Sequence, residues 1–186
     1  MAVTAIKSPT DVIDFLTDQH EQIKSLFTET LALAGEERER AFRDLRRLLA
    51  VHETAEEEIV HPRAKHKVPG GEQVVEARLQ EENEAKKALA ELESLDIDSK
   101  DFTSKLTKLR DAVIAHAEHE EAEEFAKLGA ELSPQELQRM GEVAKLAEAV
   151  APTRPHPGVE SQAANLIVGP FAAMLDRARD VIDSAT

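Results

Sequence analysis

The sequence predicts an all-α fold: an up-and-down four-helix bundle followed by two additional C-terminal helices. Apolar residues recur at three- and four-residue intervals through most of the 186-residue chain. No stretch alternates apolar and polar residues over a useful length, so no sheet is expected. Breaks at Gly35, Pro69-Gly70-Gly71, Ser99 and Ser133-Pro134 cut the chain into helix-sized pieces. The expected division is a bundle over residues 1–131 and a helical extension, packed on the bundle, over residues 132–186.

Residues 1–8 read as a loose start, and Ser8-Pro9 followed by Asp11 as a helix entry. The first helix should run to about residue 33, before Gly35. The second covers roughly residues 36–65, through Phe42, Leu45, Leu48, Leu49, Ile59 and Val60, with Pro62 expected to kink or end it. The third covers roughly residues 72–95, through Val75, Leu79, Leu89 and Leu92. Asp98 or Ser99 caps the fourth, which carries Leu106, Leu109, Val113 and Leu128. Ser133-Pro134 opens a fifth that stops before Pro152. The segment PTRPHPG is an irregular connector, and a sixth helix covers roughly residues 160–185, broken near Pro170. Its stripe of Leu166, Ile167, Phe171, Met174 and Leu175 is expected to pack inward.

With six Phe and no Tyr or Trp, aliphatic side chains and Ala must fill the core. The 37 acidic and 23 basic residues leave a net charge of -14, which argues against nucleic acid or an anionic membrane as partner. The absence of Cys excludes disulfides and iron–sulfur clusters and limits any metal site to His and carboxylate ligands. The N-terminus lacks a signal-peptide pattern, and the apolar stretch over residues 163–175 is too short to span a bilayer. A cytoplasmic monomer or homodimer is the expectation.

His52 and Glu56 lie four residues apart in HETAE, as do His116 and Glu120 in HAEHE. That spacing puts each imidazole one helical turn from a carboxylate, a pair suited to iron, zinc or manganese. At 100° per residue, His52 and Glu56 fall within about 20° of the Leu45 axis. His20 falls about 40° from Leu16, Glu82 about 20° from Val75, Glu120 about 40° and His116 about 80° from Leu106. Glu53 lies on the flank of its stripe. Glu57, Glu58 and His61 point away, Glu81 faces out, and His119 is mostly off its face. His66 and His156 read as surface or loop residues.

Three inward carboxylates are costly without compensation, and a divalent metal pair compensates directly. His20, His52, Glu56, Glu82, His116 and Glu120, from four helices, are therefore the expected ligands of a dinuclear centre inside the bundle. A ferritin-like oxidase would need Glu-x-x-His on two helices. The one such match in the core, Glu58 to His61, is expected to point outward.

The chain resembles the hemerythrin-like HHE cation-binding family over roughly residues 10–130, through His20-Glu21, HETAEEEIVHP and HAEHEEAEEF. The resemblance implies an up-and-down bundle holding two iron ions with an oxo or hydroxo bridge. His20, His52, Glu56, His116 and Glu120 would bind them, the two acids bridging. Oxygen-carrying members place two His on the third helix, and those positions fall on Arg78 and Glu82 here. Glu82 adds an anionic donor that favours ferric iron, while Arg78, which cannot be a ligand, either offsets the charge or leaves a coordination position open. The extension past the bundle resembles the longer actinobacterial and mycobacterial hemerythrin-like proteins. That likeness implies redox work on hydrogen peroxide, oxygen or nitric oxide, catalase-like or NO-related, in oxidative stress. The alternative is non-catalytic oxygen or iron binding, storage or sensing.

Overall fold

Asp11 starts the first helix, its carboxylate accepting the Asp14 N–H at 3.0 Å, and α1 runs Val12–Ala32. The computed structural model describes residues 11–150, without the side chains of residues 147, 149 and 150. The predicted sixth helix and its apolar stripe lie outside the described residues.

Gly35, at φ 56°, opens α2 (Gly35–Ala55), and its N–H donates to both carboxylate oxygens of Asp98 at 3.0 and 3.1 Å. The helix does not stop at Pro62. It widens into a π turn over Glu56–Val60 and continues as α3 (His61–Lys67). In that turn the His61 N–H donates to Glu56 O, five residues back. Proline has no N–H to give and its ring crowds the preceding turn, so the widened turn lets the helix pass through it. Gly70, at φ 72°, makes the left-handed turn into α4 (Gly71–Glu93).

Ser99 caps α5 (Lys100–His119) by accepting the Phe102 N–H at 3.0 Å. A second π turn, Glu120–Phe125, leads into α6 (Ala126–Glu131). Ser133 and Glu136 form a capping box: Ser133 Oγ accepts the Glu136 N–H at 3.3 Å, and Glu136 Oε2 accepts the Ser133 N–H at 3.0 Å. It opens α7 (Pro134–Val150). Among the described residues there is no strand.

The α1, α2–α3, α4 and α5–α6 rods form the bundle, and α7 lies against α1. The core is two apolar clusters. One holds Leu16, Ile59, Val75, Phe125, Leu128 and Met140, and the other Ile23, Phe27, Leu45, Leu92, Phe102 and Leu106. Between them each rod carries buried polar residues, so the apolar packing grips a polar layer from both ends.

Gly141 is where α7 meets the start of α1, and a Cβ there would stand 2.7 Å from Asp11 C and 2.8 Å from Val12 N. Backbone cannot yield as a side-chain tip can, so Gly141→Ala should cost about 1–3 kcal/mol, read from the thermal midpoint. Gly129→Ala, whose Cβ meets only Ile13 Cδ1 at 3.4 Å, should leave the midpoint unchanged or raise it. Equal destabilisation by both would show that α7 does not sit tightly on α1.

Candidate metal centre

The bundle brings all six predicted ligands into the polar layer. His20, His52, Glu56 and Glu120 place one ligand atom each within 4.8 Å of one another, and so do Glu56, Glu82, His116 and Glu120. Glu56 and Glu120 belong to both groups and are fully buried.

Three imidazoles are oriented alike. His20 Nδ1–H donates to Glu121 Oε1 at 2.8 Å, His52 Nδ1–H to Gln19 Oε1 at 3.0 Å, and His116 Nδ1–H to Glu81 Oε2 at 2.9 Å. Each partner oxygen only accepts, so each Nε2 keeps its lone pair and turns it inward. His20 Nε2 lies 3.0 Å from His52 Nε2 and 3.3 Å from Glu120 Oε2. His52 Nε2 lies 3.1 Å from Glu56 Oε1, and His116 Nε2 lies 3.4 Å from Glu120 Oε1. Two lone-pair nitrogens at such a separation require a proton or a cation between them. Both oxygens of Glu56 and of Glu120, Glu82 Oε2 and His116 Nε2 have no hydrogen-bond partner. Buried acceptors aimed at one point without donors suit cations.

His61 corrects the sequence reading. It is buried rather than outward, with Nε2 2.8 Å from Glu82 Oε1 and Nδ1 2.9 Å from Glu124 Oε1. The π turn is the reason. One extra residue in the turn rotates the rest of the helix by roughly 100°, carrying His61 from the outer face toward the core stripe. The outward His61 therefore no longer argues against the Glu-x-x-His pattern, but Glu58 is not among the converging groups. Glu124, also fully buried, is absent from the predicted ligands. At 100° per residue it lies on the Leu106 axis, about 0° away, so the wheel could have found it. Glu81 does not simply face out: it is half-buried and holds His116, His119 at 3.0 Å and Arg78 Nη2 at 3.3 Å. His119 and His66 are exposed, as expected. His156 lies outside the described residues.

The protonation pattern arises from this crowding. Burial pushes Glu56 up to about 8 and, with Glu56 beside it, Glu120 up to about 7. Burial likewise pushes Glu53 up to about 8. Burial and His20 press His52 down to about 3. Burial opposes charge on His20, but Glu120 and Glu56 outweigh it and raise the ring. Burial also opposes charge on His61, yet hydrogen bonds to Glu124 and Glu82 lift it to about 10. Glu82 is held below its usual range, since His61 outweighs burial. His61 is thus favoured as an imidazolium between Glu82 and Glu124, while Glu82 Oε2 faces the Lys86 ammonium at 3.7 Å.

Arg78 is buried on α4, one turn before Glu82. Its guanidinium adds positive charge beside Glu81 and, at 4.0 Å, Glu123.

Residues 11–128 match the family model described as hemerythrin HHE cation binding domain. A crystal structure of a hemerythrin HHE cation binding domain-containing protein from Mycobacterium kansasii superposes with a TM-score of 0.66 at 19% identity, covering 75% of this chain and 85% of that one. A curated protein from Nostoc sp. (strain PCC 7120), described as a DNA nickase, is 24% identical over 143 residues, 76% of this chain. The chain spans 40% of that relative's length.

His61→Ala should weaken cation binding at the group that includes Glu82, because Glu82 loses the imidazole that holds its other oxygen. A metal titration should show about 10–100-fold weaker binding, while His66→Ala changes nothing. Identical titrations would remove His61 from the centre. The metal-free chain should also lose stability as pH rises from 7 to 9. Glu53, Glu56 and His61 hold protons in the folded state there, with values raised to about 8, 8 and 10, and release them on unfolding. Denaturant midpoints that rise with pH over that window would contradict the pattern.

Proposed function

We propose that this chain, which belongs to the hemerythrin HHE cation-binding family, holds two iron ions and uses them for redox work on hydrogen peroxide, oxygen or nitric oxide. The observation that carries the reading is the converging donor set: three imidazoles with anchored Nδ1–H groups and two buried carboxylates without a hydrogen-bond donor. In this reading His20, His52, Glu56, Glu82, His116 and Glu120 would hold the ions. Iron, when bound, supplies one-electron steps toward such small oxidants.

The protein side of the mechanism is orientation, charge and access. Gln19, Glu121 and Glu81 fix the three rings, and the two carboxylates make their imidazoles better donors. Glu82, an anion where oxygen carriers of the family have imidazole, favours the more highly charged state of iron. That bias supports turnover over reversible carriage. Arg78 offsets part of the added charge. Of the described helices none is long and apolar enough to cross a membrane. A net charge of -14 gives no electrostatic footprint for DNA, so the nickase activity of the longer relative is not carried over.

Expression in iron-replete medium should yield about two irons per chain, and His52→Ala or His116→Ala should lose iron and thermal stability together. With no Trp or Tyr, the chain's own absorbance at 280 nm is almost nil, so iron absorption is read directly. The as-isolated protein should be ferric and consume hydrogen peroxide over many turnovers, and Glu82→His should slow that loss. One zinc per chain would overturn the iron reading. A reduced protein that binds oxygen and releases it under vacuum, with no peroxide consumption, would establish a carrier or sensor instead.

A further inference from the structure

The cavity beside the centre is far larger than a peroxide or a diatomic gas requires. It is a half-open groove of about 550 Å³, against roughly 30 Å³ for one water. His20, His52, His116 and Glu82 line its inner end. From there it runs between α4 and α5 to Glu91 and Lys105, whose side chains meet at 2.6 Å. From Glu82 to Glu91 is about 13 Å of helix at 1.5 Å per residue, the length of an extended chain of about ten carbons.

The walls are apolar: Ile23 and Leu49 from α1 and α2, Leu109 and Val113 from α5. The slot is open because Ala85, Ala88 and Ala112 line it where larger side chains would close it. Its rim is charged. Lys24 is paired with Glu21 at 2.7 Å and Lys105 with Glu91, while Lys108 and, from α4, Glu84 are exposed and make no ion pair among the described residues. At the inner end stand Glu82 and Glu53, which disfavour an anion there in the metal-free chain.

An elongated apolar slot with acids at its inner end and an unpaired cation at its rim fits one kind of molecule. We infer that it binds a single-chain carboxylate amphiphile, a medium-chain fatty acid, with the tail between α4 and α5 and the carboxylate at Lys108. The site does not depend on bound iron. Its tail would lie against the open side of the polar layer, so occupancy would control what reaches His116 and Glu82.

The test is calorimetric titration of decanoate and of decanol into the full chain, metal-free and iron-loaded in parallel. Decanoate should bind once per chain with the same affinity in both forms. Ala88→Leu combined with Ala112→Leu fills the slot and should abolish binding without changing iron content. Lys108→Glu, a surface change, should weaken decanoate about tenfold and decanol hardly at all. No saturable binding in either form overturns the inference, as it would if a second copy or the chain's own C-terminal residues filled the slot. Affinity untouched by the double substitution also overturns it. Binding only to the iron-loaded chain would place the carboxylate on the metal and overturn the assignment to Lys108. Iron content is measured separately, so failure of the slot and failure of the iron reading are told apart.

Discussion

Four buried carboxylates, Glu56, Glu82, Glu120 and Glu124, cross the core in one layer, and the fold is organised around their cost. Ionised and unpaired, each would oppose folding by several kcal/mol, on the order of the whole stability of a small domain. The chain meets this in two ways. His61 carries a positive charge and bonds Glu82 and Glu124 together. Glu56 and Glu120 receive no such partner from the protein: their oxygens have no donor, and without metal they are pushed toward the protonated form. One pair of acids is neutralised from within, and the other is left for cations. The apolar clusters on either side hold the layer closed, since Leu16 and Ile23 flank His20 on α1 while Leu49 and Ile59 flank the His52–Glu56 pair.

Each π turn begins at one of these shared acids, Glu56 in the first and Glu120 in the second. A regular α-helix gives the layer residues at positions three or four apart and then turns away from it. Widening the turn at the acid keeps residues inward that a regular helix would turn away: His61 after Glu56, and Phe125 after Glu120. Phe125 then stacks on the His20 ring, with centroids 5.8 Å apart and planes 6° from parallel, and seals the layer on that side. The geometry that costs helix regularity is what supplies a larger donor set from only four rods.

This also decides what could be read from the sequence. The four bundle helices, a cap at Asp98 or Ser99 and the helix entry at Ser133-Pro134 were legible because periodicity and capping are local. His20, His52, Glu56, Glu82, His116 and Glu120 were legible as inward residues because each precedes or opens any irregularity in its rod. His61 was not, because a wheel drawn at constant pitch from Leu45 ignores the π turn that lies between Leu45 and His61. Pro62 was the available signal. A proline in an otherwise continuous helical pattern means that the hydrogen-bonding register changes before it, and here it changes by widening rather than by ending the helix. Gln19, Glu81 and Glu121 were invisible as partners, since no single-helix pattern shows which imidazole on another rod a side chain will meet.

Those partners form a ring around the bundle. Gln19 on α1 holds His52 on α2, Glu121 after α5 holds His20 on α1, and Glu81 on α4 holds His116 on α5. His61 at the start of α3 holds Glu82 on α4 and Glu124 after α5. Each support comes from a rod other than the one whose ligand it orients, and Gln19, Glu81 and Glu121 each sit next in sequence to a candidate ligand. Moving one rod therefore misaligns a ligand on another. What the protein's own groups do not supply there is charge: lone pairs face lone pairs and two acids have no donor. Cation binding at such a site is coupled to folding, so its binding energy should appear in part as stability of the fold. The layer that weakens the metal-free bundle becomes, when filled, the contact that ties its four rods together.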